Sequence, residues 1–113
     1  MKIIAGAGEY TGPAAGEPAA WAEQLRVPDL SVGTYSIPAG GTDMQTPHTE
    51  DEIYVVTAGR AVIEAGGEHA EVGRGSVIYV PAGEDHRFTA IAEDLALLVI
   101  FAPAEYARAE GTG

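Results

Sequence analysis

The sequence predicts an all-β domain, an antiparallel sandwich or barrel. Roughly eight short runs alternate apolar and polar residues, with turn signals about every 6–12 residues. The 15 glycines and 7 prolines are spread along the chain, as turns between short strands require. No strand–helix alternation, heptad or solenoid repeat competes with that reading.

Residues 1–4 read as a short strand. Gly6, Gly8 and Gly12 follow and invite a dinucleotide-loop reading. The last glycine falls one place late and Pro13 follows it, so the stretch is assigned as a plain loop. Residues 18–26 suit either a short helix after Pro18 or a strand in which Trp21, Glu23 and Leu25 alternate. Their β surroundings favour the strand. Pro28 and Asp29 turn the chain into Leu30–Pro38, whose apolar set is Leu30, Val32, Tyr35 and Ile37, with Gly33 marking a bulge.

Ile53 to Val56 is a strand that Gly59 closes, and Arg60 to Ala65 is the next. Gly66 and Gly67 form a two-residue hairpin turn of the kind that needs positive φ. Glu68 to Val72 returns, and a turn at residues 73–75 leads to Ser76–Val80. Pro81 opens another turn, before His86–Ile91. Glu93-Asp94 turns again, and Leu95 to Phe101 is almost wholly apolar and is expected to be buried on both faces. The tail from Ala104 is Ala- and Glu-rich, a turn of helix or a frayed end.

The 113 residues bound one domain with one core, residues 1–113. Six basic and 17 acidic residues give a net charge of −11. Phosphate contacts need Lys and Arg, so nucleic acid and anionic membrane are excluded as expected partners. The chain has no cysteine, hence no disulfide, thiolate site or Cys nucleophile. The first residues carry one lysine and too short an apolar run for a signal peptide, and a cytoplasmic protein is expected.

The chemistry concentrates between Gly40 and Gly59. His48 and Glu52 lie four residues apart, just before a strand. Asp43, Glu50, Asp51 and Glu52 crowd there, and no Lys or Arg lies between Arg26 and Arg60. Clustered carboxylates raise one another's pKa unless water or a cation screens them. A solvated loop meets that condition, and so does a bound metal. His86 has a setting matched to that of His48: each follows a Pro/Gly-rich turn and leads into a strand with aromatic residues. His69, the third histidine, lies in a hairpin return strand and is expected to be exposed.

The spacing of these residues resembles the cupin superfamily. In the first motif, Gly40 is followed by five residues, Thr46-Pro47-His48, three residues, Glu52, six residues and Gly59. In the second, Gly75 is followed by five residues, Pro81-Ala82-Gly83, two residues, His86, three residues and Ala90. The resemblance spans about residues 30–102 and implies a double-stranded β-helix, a jelly-roll barrel with a metal in its mouth. It carries over three ligands: His48, Glu52 and His86. Two positions depart from the pattern. Thr46 stands for the first histidine and Ala90 for the closing asparagine.

Two imidazoles and one carboxylate suit a non-haem iron facial triad or a catalytic zinc site, and the divalent metals expected are Fe, Zn, Mn or Ni. Gln45, or the Thr46 hydroxyl, is a candidate fourth ligand. Glu50 reads as a solvated loop acid, or as a stand-in for Glu52. Glu50 and Tyr54 are the candidate acid and base. If Glu52 points inward, so do Tyr54 and Val56, and with His86 go Phe88 and Ala90. Tyr79 is expected in the core. Arg87 is expected to point outward, and Arg60 or Arg87 facing the mouth would admit an anionic substrate.

The expected function is a small metal-dependent enzyme of oxygenase, isomerase or cyclase type acting on a small organic molecule. The alternatives are a non-catalytic metal or ligand sensor and a purely structural barrel. The family implies a homodimer, which would also cover sheet edges.

Overall fold

The computed structural model describes residues 1–44 and 47–107. Six antiparallel strands run in chain order: β1 (Ala20–Val27), β2 (Leu30–Ile37), β3 (Asp51–Ala65), β4 (Glu68–Gly73), β5 (Val77–Val80) and β6 (His86–Ala102). They hydrogen-bond in the order β1-β2-β6-β3-β4, and β5 pairs with β3. No helix among the described residues is long and apolar enough to cross a membrane.

Fewer, longer strands replace the eight expected, because two turn signals prove to be bends. The runs on either side of Gly59 form one strand, β3, and those on either side of Glu93-Asp94 form β6. The β3–β6 register shifts repeatedly between Val56 and Val62, so both strands bend together. Gly59 has φ +87, and a Cβ there would lie 2.3 Å from the Asp94 carbonyl oxygen. Only glycine lets the two backbones approach so closely. The lower half of β3 pairs with β5 and the upper half with β4, so the bend curls one sheet into a barrel.

Residues 1–4 form no strand. Residues 20–27 do, and the Gly66–Gly67 hairpin has the positive φ values expected, 57 and 80. Gly33 makes no bulge. The irregularity lies across from it, between Glu23 and Leu25. Gly33 is instead the seat of Trp21, whose ring would be 2.2 Å from a Cβ. In β2 the buried residues include Ser31, Thr34 and Ser36. The N-terminal segment covers the last two: Gly8 N–H donates to Thr34 Oγ1 at 2.7 Å and Thr11 N–H to Ser36 Oγ at 3.1 Å.

The core lies between the inward faces of β2, β3 and β6, around Ile37, Tyr54, Val56, Phe88, Leu95, Leu97, Val99 and Phe101. Tyr54 and Val56 face inward with Glu52, as the two-residue period predicts. Phe88 follows His86 inward but Ala90 is exposed. Between Thr89 and Glu93, β6 holds residues 90–92 opposite Ala61 alone, and Ala90 takes φ 47. That bulge reverses the alternation. Tyr79 is 61% exposed, not core, because β5 turns it outward beside the half-exposed Ile53.

Candidate metal centre

Loop 38–50 carries His48 to the barrel mouth, and buried Asp43 anchors that loop. Asp43 accepts from the Tyr35 hydroxyl at 2.7 Å and from Phe88 N–H at 2.9 Å. The second glycine-rich turn then clasps the loop: Gly83 N–H donates to His48 O at 2.8 Å and Ala82 N–H to Asp51 Oδ1 at 2.9 Å. One backbone bond and one bond to the Asp51 side chain, both between the two motifs, thus fix where His48 stands.

Glu52 projects inward from the start of β3, opposite Val80 and Phe101. His86 opens β6. Its Nδ1 lies 2.9 Å from the Glu84 carbonyl, an acceptor only, so Nδ1 carries a hydrogen. Its Nε2 then faces Glu52 Oε1 at 3.1 Å and the Tyr54 hydroxyl at 2.9 Å. His48, Glu52 and His86 are all buried, with one ligand atom from each within 4.8 Å of the others.

Charge explains what this cluster wants. Glu52 is 1% exposed, and neither carboxylate oxygen receives an aligned hydrogen bond among the described residues. The short approach of His86 Nε2 is electrostatic rather than a well-directed bond. Burial pulls the His86 pKa down, but Glu52 and the Glu84 carbonyl outweigh burial and raise it. A proton held on Nε2 would occupy the place of a cation between two donor atoms. His48 moves the other way. Burial lowers its pKa first and the nearby His86 adds to this, against the pull of Glu52. A neutral imidazole is the metal-binding form. Two imidazoles beside a buried, poorly satisfied carboxylate fit a divalent transition metal.

A cavity of about 170 Å³ opens onto the cluster. Trp21, Tyr35, Tyr54, Phe101 and Tyr106 form its aromatic walls, and His48, Glu52 and Glu105 its polar surface. A larger cleft of about 680 Å³ lies over the Gly66–Gly67 hairpin; it touches His86 but reaches neither His48 nor Glu52.

Glu50 is not the solvated acid expected. It is 1% exposed, and its carboxylate accepts the Thr49 hydroxyl and the Tyr106 N–H. Gln45 and Thr46 lie outside the described residues. His69 is exposed. Arg60 and Arg87 are exposed beside Glu93 and Glu64, at 3.5 and 3.9 Å, so neither faces the mouth. Sequence reasoning missed Glu105, which lies in the tail assigned to a turn or frayed end. Its carboxyl is pushed up to about 7 by burial first and then by Glu23 and Glu52, with Arg26 opposing. The one sequence signal was Pro103, whose stop to β6 turns the chain back over the mouth.

Residues 33–101 match the family described as Cupin domain. The chain belongs to the cupin family. It is similar to an uncharacterized protein of Streptomyces coelicolor, 52% identical over 86 residues, covering 76% of this chain and 82% of that one. Among solved structures, it resembles an uncharacterized protein with a double-stranded β-helix domain from Klebsiella pneumoniae. The TM-score is 0.76 at 20% identity, with 91% of each chain covered. It also resembles the DMSP lyase DddQ of Ruegeria pomeroyi, with TM-score 0.69 at 22% identity and 74% of this chain covered. This cupin spans 46% of that lyase. At such identities the likeness shows the fold, a cupin double-stranded β-helix.

Proposed function

We propose that this cupin is a metal-dependent enzyme acting on a small organic molecule, with His48, Glu52 and His86 holding a divalent transition metal. The observation that carries the reading is the Glu52 carboxylate, buried between two imidazoles without an aligned donor among the described residues. The metal would supply Lewis-acid or redox chemistry. The chain's own residues supply the rest. The aromatic walls would hold an apolar or aromatic substrate of a few heavy atoms and keep water out. Tyr54 is the acid–base candidate, because its hydroxyl stands at His86 Nε2 inside the cavity wall. Glu50 serves the scaffold instead, since its carboxylate accepts the hydrogen bonds that anchor residues 49 and 106.

That commitment of Glu50 removes a candidate acid–base group from the described residues, and it favours one second reading, a non-catalytic metal or ligand sensor. A homodimer accords with edge strand β5, where Val77 and Tyr79 are 66% and 61% exposed.

Metal analysis of protein purified without a histidine tag tests the proposal. Close to one ion per chain is expected after loading with iron, zinc, manganese or nickel, and a His48→Ala/His86→Ala double variant should hold none. Equal metal in the double variant, or none in the wild type, defeats it. Oxygen uptake by the anaerobically prepared iron(II) form, offered a pool of small phenols, keto acids and amino acids, then tests the oxygenase branch. Product analysis of the same pool under anaerobic conditions tests isomerase and cyclase chemistry and separates enzyme from sensor.

A further inference from the structure

After β6 the chain turns back across the mouth of the barrel, and three polar contacts hold Glu105 and Tyr106 there, beside the Ala104 N–H bond to the Pro28 carbonyl. Arg26 Nη2 donates to the Glu105 carbonyl at 2.8 Å. Glu105 N–H donates to buried Ser31 Oγ at 2.8 Å. Tyr106 N–H donates to the buried Glu50 carboxylate. All three bind this segment by its backbone, and none uses the Glu105 side chain.

That side chain enters the cavity. It is 10% exposed, and Oε2 lies 3.3 Å from His48 Nδ1, an ion-pair approach without an aligned hydrogen bond. Phe101 and Tyr106 pack against the same imidazole, with ring centroids 4.6 and 5.7 Å away. Burying a carboxylate is costly, and anchoring the segment does not require it. Its neighbour explains it. An imidazole that ligates a metal commonly carries a carboxylate or carbonyl partner that fixes its orientation. His86 has such a partner in the Glu84 carbonyl. His48 meets Glu105.

We propose that Glu105 is a positioning residue of the metal centre, a carboxylate delivered by the C-terminal segment that holds the His48 ring in its ligating orientation. The inference rests on the metal reading above. The missing histidine of the first motif gives it weight: with Thr46 in that place, His48 is the imidazole that loop supplies, and its orientation has more to decide. Glu105 acts through His48, since the cluster of potential ligand atoms comprises His48, Glu52 and His86.

The test is affinity for cobalt(II) and zinc(II), measured by chelator competition on untagged protein. Wild type, Glu105→Ala and Glu105→Gln are compared, together with their metal-free melting temperatures. Glu105→Ala should weaken binding by about 10–100-fold. Glu105→Gln keeps an acceptor oxygen and should recover most of that loss. The cobalt visible spectrum should keep its band intensities in both variants, because the ligand set is intact. Metal-free melting temperatures should nearly match, because the anchoring bonds are backbone ones and the Glu105 side chain adds only its contact with the half-exposed Tyr106 phenol. Tight binding by wild type with Glu105→Ala unchanged overturns this inference and leaves the metal reading standing. Equal loss in both variants overturns it too, since that is how a direct charged ligand behaves. So does a lowered metal-free melting temperature in both, which would assign Glu105 to the scaffold. No binding by wild type overturns the inference and the metal reading together.

Discussion

His86 Nε2 stands 3.1 Å from Glu52 Oε1, and each side chain is 1% exposed. A buried acid–imidazole contact has two physical explanations. As a structural ion pair it stabilises the fold, and deleting one partner costs about 3–5 kcal/mol. As part of a metal site, its stabilisation arrives with the ion, and the metal-free protein bears the cost of a buried carboxylate. Glu52 receives no aligned hydrogen bond among the described residues, which argues for the second.

Glu52→Gln is therefore expected to leave metal-free stability within about 1 kcal/mol of wild type, or to raise it, since a neutral amide is cheaper to bury. The same variant should lose the rise in melting temperature that added metal gives wild type, because binding to the folded state alone stabilises it. Urea unfolding of chelator-treated protein, beside melting curves with and without zinc, measures both. A loss of about 3 kcal/mol or more in the metal-free variant would make the pair structural.

Ala90 carries a local strain that the barrel tolerates. Its φ of 47 lies in the left-handed region, which costs an L-residue with a Cβ about 1–2 kcal/mol. The residue is exposed on the β6 bulge, so no packing is lost by changing it. Ala90→Gly should raise the unfolding free energy measured in urea, by about 0.5–1 kcal/mol after the unfolded-chain entropy of glycine is deducted. Ala90→Asn should also gain, because Asn enters this region readily. A decrease for both variants would refute the strain.

Much of the fold was legible in the residues. Alternation marked the strands, and the spacing of His48, Glu52 and His86 marked the cluster. The misses share a cause. Gly59 and Glu93-Asp94 read as turns because glycine and acidic residues usually end strands. Here they bend two long strands, and only the partner strand distinguishes a bend from an end. Glu105 was missed because it reaches His48 across the whole chain, through bonds from Arg26 and Ser31 to its backbone. Local pattern carries no trace of such a contact. Glu50 was misjudged for the same reason, since the Tyr106 N–H that it accepts arrives from the chain's other end.

Tyr35 provides a pH test of how the site is braced. Its hydroxyl donates to buried Asp43, which also holds Phe88 N–H and so ties loop 38–50 to β6. Burial first, then the Asp43 charge and its hydrogen bond, push the Tyr35 phenol far above its ordinary value. The folded state thus favours the protonated phenol more than the unfolded chain does, where the pKa is about 10. That stabilisation is complete below pH of about 10. Above it the unfolded chain releases the proton first, and stability falls at up to about 1.4 kcal/mol per pH unit. Tyr35→Phe should cost about 1.5–3 kcal/mol at neutral pH, one hydrogen bond to a charged group. The difference between wild type and Tyr35→Phe should then shrink as pH rises past 10 and the other tyrosines and lysine affect both proteins alike. Urea unfolding of the pair from pH 7 to 11.5 gives the result. A constant difference would mean that the phenol ionises equally in both states, and that Asp43 does not hold it.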